Sequence, residues 1–106
     1  INSIFEKYNY LVLPAAPVYP FNKDIPSPAS INGERMETYH QWMDIVVLAS
    51  LLGLPTISVP VGLNRAGLPI GMQLIGNRKS DTNLIAFAKK YEALFNYSEI
   101  IPKDFN

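Results

Sequence analysis

The residues of this chain that could do chemistry are few. His40 is the only histidine, and there is no cysteine. Glu34, Glu37, His40 and Asp44 fall three or four apart, a spacing that would put them on one face of a helix. A Glu-x-x-His pair is half of a helical di-metal site, but no second pair exists to complete it. The residues alone therefore favour a polar helix start over a metal centre. A Ser-His-Asp arrangement would have to use His40 as its base, and no Gly-x-Ser-x-Gly elbow presents a nucleophile. Ser58, between Ile57 and Val59, reads as a small polar group in a core strand. Gly67, Gly71 and Gly76 are too widely spaced to cradle a phosphate. Tyr39 and Trp42, three apart, could line a pocket, although core or interface packing explains them as well.

Composition removes further classes. Lys plus Arg and Asp plus Glu are 9 each, for a formal net charge of zero. No basic stripe interleaves with aromatics, so neither a nucleic acid nor an anionic membrane is an expected partner. Zero net charge favours self-association, which leaves a homo-oligomer open. With 48% hydrophobic and 17% charged residues the chain reads as globular, and 106 residues make about one domain. The longest apolar run, 45–54, is too short for a bilayer span and reads as a buried element. The lack of cysteine fits a reducing, cytoplasmic setting. The first residue is Ile rather than Met and no basic leader precedes it, which suggests a piece of something longer.

The elements that would position these residues read as α/β. Ile1, Ile4, Phe5 and Tyr8 have helical spacing. The run 10–13 is a short apolar strand of the kind covered on both faces, stopped by Pro14. A long loop over 15–34 holds Pro17, Pro20, Pro26 and Pro28. A helix is expected over 36–52, apolar all round after Asp44 and so buried, with Gly53 at its end. Strands over 56–60 and 69–75 flank Asn64-Arg65-Ala66-Gly67, the pattern of an antiparallel hairpin. A last amphipathic helix starts after Ser80, with Leu84, Phe87, Ala88 and Tyr91 on one stripe.

In order and spacing these segments resemble the amidase-signature hydrolases. Gly53-Leu54-Pro55, followed by Ile57-Ser58-Val59-Pro60 and Gly62, is similar to a stretch typical of that family. Gly67-Leu68-Pro69-Ile70-Gly71-Met72-Gln73-Leu74-Ile75-Gly76 follows its Gly-Leu-Pro-hydrophobic-Gly-x-Gln pattern, and Asp81 stands where the family opens a final helix. Tyr10-Leu11-Val12-Leu13-Pro14-Ala15-Ala16-Pro17 resembles the family's strand ending in Pro-x-x-Pro, with Asn9 and Tyr10 in place of its usual Tyr-Asp. The agreement runs along nearly the whole chain, 1–106.

The resemblance implies the carboxy-terminal fragment of such an enzyme, part of its mixed sheet and covering helices. It implies hydrolysis of a carboxylic amide by a Ser-Ser-Lys mechanism. Those residues lie in a Gly/Ser-rich stretch earlier in the family's chain. No such stretch is present here, and none of Lys7, Lys23, Lys79, Lys89, Lys90 and Lys103 matches a family lysine, so no catalytic residue carries over. The expected partners are the remainder of the enzyme and a small amide, with no cofactor and no metal. The family's substrate-lining region precedes its Gly-Leu-Pro helix. Asp44 lies one residue out of register with an Asp that holds the substrate amine in the related tRNA-dependent amidotransferase. Tyr39, His40 and Trp42 are substrate-lining candidates on the same ground. Ser50 replaces an Asn frequent in the family, which favours a general amidase over the amidotransferase subunit. The rival readings are a non-catalytic scaffold or interaction domain that reuses the fold, and a small independent enzyme built on His40 or Glu37.

Overall fold

The computed structural model describes the backbone of residues 2–36 and 41–99, and the side chains there except those of Asn2, Trp42 and Ser98. Helix α1 (Asn2–Lys7) leads into β1 (Tyr10–Pro14). A long connection follows and contains a small ladder of β2 (Ser30–Ile31) and β3 (Glu34–Arg35). A 3-10 turn over Gln41–Met43 runs into α2 (Asp44–Leu52). The hairpin β4 (Thr56–Leu63) and β5 (Pro69–Gly76) precedes α3 (Asp81–Phe95). A 3-10 turn over Tyr97–Glu99 closes the described chain.

The main sheet has strand order β1-β5-β4, and both pairings are antiparallel. Strand β5 is central. Leu13 and Ser58 are its neighbours at Gln73, and Leu11 and Thr56 at Ile75. Successive strand residues point to opposite faces. Leu74 therefore closes one core with Val59, Leu84 and Ala88, and Ile75 closes another with Ala49 and Leu54. Helix α3 covers the first face, where Tyr10 stacks on Phe87 with ring centroids 4.4 Å apart. Helices α1 and α2 cover the second, through Phe5, Ala49 and Leu52.

Local chemistry sets the element ends. Gly53 caps α2 at φ 67°, in the left-handed region, and its N–H donates back to Ala49 and Ser50. Asn64 Oδ1 accepts from the N–H groups of Ala66 and Leu68, which folds the hairpin loop. The register slips between Pro60 and Gly62, so β4 runs through the proline as a bulged outer strand to Leu63. Tyr91 on α3 donates its hydroxyl to Pro60 O at 2.7 Å and ties helix to strand at that bulge.

Several expectations need correction. Of the helix expected over 36–52, Asp44–Leu52 is α-helical and Gln41–Met43 is a 3-10 turn, residues 37–40 lie outside the described residues, and Met36 donates its N–H to Ala29 O at the end of the β2–β3 ladder. Within this chain α2 is buried on one side only: Ala49 is 3% exposed but Leu51 is 79% exposed. Strand β1 lies at the sheet edge with Val12 half exposed, so it is not covered on both faces. Ser58 is exposed, because the outer position of β4 leaves its α2-side face uncovered. The loop 15–34 ends in a ladder turned by Asn32 and Gly33, both at positive φ, which an Asn-Gly pair adopts readily. Ser80 stands before α3 as expected, but its hydroxyl donates to Asn77 O rather than capping the helix.

The shape is a slab of 41 × 39 × 18 Å with a Cα radius of gyration of 15.7 Å. A compact domain of this length would have about 13 Å. Leu74→Ala should lower unfolding stability by about 2–5 kcal/mol, whereas Leu94→Ala on the open side of α3 should stay within about 0.5 kcal/mol, as read by denaturant titration. Burial, and next the neighbouring Tyr97, raise the Tyr91 phenol above its ordinary value. The folded state therefore favours neutral Tyr91. That stabilisation is present below about pH 10 and fades as pH rises through the higher folded value. Tyr91→Phe should remove this alkaline component and about 1 kcal/mol of stability at neutral pH, checked by unfolding at pH 8 and pH 11.

Candidate functional site

Where β1 ends, Pro14 and Ala15 turn the chain away from the sheet, and Ala15 N–H donates to Gly71 O at 3.0 Å. The Pro-rich segment folds back along this edge. Between them lies an apolar groove of about 780 Å³, lined among others by Val12, Pro14, Tyr19, Phe21, Ile70 and Met72. Gly71 lies at its floor, where an added Cβ would come within 3.2 Å of Val59 O, a tight contact. Sequence reasoning did not find this groove. Its signal was the pair Tyr19 and Phe21 inside a proline-rich loop, where no core strand or helix claims the aromatics.

Gln73 joins this edge to α2. It is 4% exposed on the α2 side of β5, flanked by apolar neighbours. Its Nε2 donates to Pro14 O and to Ile45 O, each at 3.0 Å. The amide thus satisfies two backbone carbonyls at depth. A buried polar side chain is tolerated when its hydrogen bonds are made, and here both amide hydrogens have acceptors.

The substrate-lining candidates divide. Asp44 is the first residue of α2, exposed and immediately before Ile45. Its position at a helix N-terminus suits a carboxylate. Trp42 belongs to the 3-10 turn Gln41–Met43, and its side chain lies outside the described residues, as do Tyr39 and His40 entirely. Glu34 is on β3 and so does not share a helix face with Asp44. Among the described residues no group of His, Cys, Asp and Glu could hold a metal ion, and no helix is long and apolar enough to cross a membrane.

The sequence matches a known family, and the fold matches a solved structure. A family profile described as Amidase matches residues 1–85. A fatty acid amide hydrolase of Medicago truncatula is 40% identical over 100 residues, which are 93% of this chain and 16% of that protein. A glutamyl-tRNA(Gln) amidotransferase subunit of Wolbachia pipientis subsp. Culex pipiens (strain wPip) is 39% identical over 89 residues, 83% of this chain and 17% of its own length. Among solved structures, a bacterial aryl acylamidase of the amidase signature enzymes superposes with a TM-score of 0.77 at 32% identity, covering 92% of this chain and 20% of that one. The chain belongs to the amidase signature family. It spans 16% to 20% of the length of these relatives.

Among the described residues, Asp44 has no side-chain partner beyond its place at the helix start. Asp44→Asn should therefore cost less than about 1 kcal/mol in thermal unfolding, the size of a carboxylate's interaction with a helix dipole. A larger loss would show that the carboxylate holds α2 in place.

Proposed function

We propose that this segment is the carboxy-terminal, non-catalytic part of an amidase that hydrolyses a carboxylic amide. The nucleophilic serine, the bridging serine and the lysine base stand in a part of the enzyme that precedes this sequence. In that reaction the serine hydroxyl attacks the amide carbonyl and its proton reaches the leaving nitrogen through the bridging serine and lysine. The C–N bond breaks, and water then releases the carboxylic acid from the acyl-enzyme. This segment contributes sheet, covering helices and part of the substrate wall, with Asp44, Tyr39, His40 and Trp42 on the side that lines the substrate. The remainder of the enzyme is its partner and the cytoplasm its compartment.

The observation that carries this reading is the combination of a family match over residues 1–85 with apolar side chains left open on the outer strand and helix. Leu51 at 79% exposed and Val12 at 50% form apolar surface that a separately stable domain would cover. Among the described residues, neither outer strand of the sheet has a partner on its outer edge. Relatives several times longer supply the chain that would cover them.

The test is ammonia or amine release from a panel of simple carboxylic amides. The full gene product should hydrolyse at least one of them, and residues 1–106 alone should release nothing above buffer. Turnover by the isolated segment would place the chemistry within it and overturn the reading.

A further inference from the structure

Gln73 draws together positions 28 and 59 residues away in sequence. Both of its acceptors are main-chain carbonyls, which cannot donate, so the NH2 end of the amide must face them. In an α-helix Ile45 O accepts from Ala49 N–H, and its second lone pair is free for the amide. The bond to Gln73 is thus not required to form α2. What it fixes is where the first turn of α2 stands relative to the end of β1. That turn begins with Asp44, and the end of β1, from Val12 to Pro14, forms part of the groove wall.

We propose that Gln73 is a positioning residue of the amidase site, whose Nε2 clamps the first turn of α2, and Asp44 with it, to the Pro14–Ala15 wall of the groove. The functional half of this inference rests on the amidase reading; the clamp itself rests on the hydrogen bonds. The side chain suits the task in length and chemistry. Asn is shorter by one methylene, about 1.5 Å, and would not reach both carbonyls. A carboxylate at this position would face two acceptors with no hydrogen to offer. Met fills similar space and donates nothing.

The experiment uses the full gene product and compares Gln73→Met with Leu84→Ala, a core substitution on the opposite face of the sheet. Amide hydrogen exchange in α2 should speed up about tenfold in Gln73→Met, and KM for the amide substrate should rise about tenfold with a smaller change in kcat, the scale of losing one or two net hydrogen bonds. Leu84→Ala should lower Tm while leaving both readouts near wild type. Gln73→Glu adds a pH signature. Burial raises that carboxyl above the ordinary 4.3 or so, and only its protonated form can donate. Its kcat/KM should therefore fall as pH rises through the raised value, along a limb the wild type lacks. Should Gln73→Met fail to fold, Gln73→Glu read on either side of that limb carries the test in a single protein.

Unchanged α2 exchange in Gln73→Met overturns the clamp. Equal effects from Leu84→Ala overturn the positioning role, since general destabilisation would explain both. If the wild-type product hydrolyses no amide, the amidase reading and the site role fall together, and the exchange data still decide whether the clamp exists.

Discussion

Leu74 and Ile75, adjacent on β5, are both fully buried, and everything else in the chain is arranged around that pair. Neighbouring strand residues face opposite ways, so burying both requires a cover on each side of the sheet. Leu84 and Ala88 of α3 supply one cover, and Ala49 of α2 with Leu54 beyond it supplies the other. Burying a side chain of this size contributes about 1.5–3 kcal/mol. Strand β5 also needs a partner on each edge for its backbone groups, and β1 and β4 take those places. The central strand thus dictates the order of the elements, while the outer strands and the outer sides of the helices are left open.

Within that frame Gln73 breaks the apolar pattern at the middle of β5. An amide buried to this degree would cost about 1–3 kcal/mol if its groups were left unpaired. Two bonds at 3.0 Å offset that cost and add direction, which apolar packing lacks. The α2 face of the sheet is accordingly held by a small apolar cluster and a polar bridge at the end nearest Asp44. The α3 face depends on side-chain packing, with Tyr91 and Tyr10 adding hydroxyl donors at its margins.

The elements that carry their own punctuation were legible from the sequence. Gly53 and Pro55 marked the end of α2, Asn64 to Gly67 the hairpin loop, and Ser80-Asp81 the start of α3. Motif spacing pointed to the family, with Gln73 as the polar member of its Gly-x-Gln pattern. Burial was the part that failed to show. The runs 10–13 and 45–52 have the composition of elements covered on both sides, yet Val12, Val47, Leu48 and Leu51 are at least partly open within this chain. Hydrophobicity records the surroundings in which a sequence was selected, and on the proposed reading those surroundings are the rest of an amidase. The groove was hidden for another reason. Its walls come from a loop whose path depends on Ala15 pairing with Gly71, a contact without any local sequence signal.

The central claim is that these open apolar surfaces belong to a larger amidase. The direct measurement is a crystal structure of the full gene product. The account predicts that Leu51 and Val12 are buried there against residues outside 1–106, with the outer edge of β1 or β4 paired in a larger sheet. A structure in which both side chains still face solvent and both edges remain unpaired would contradict it.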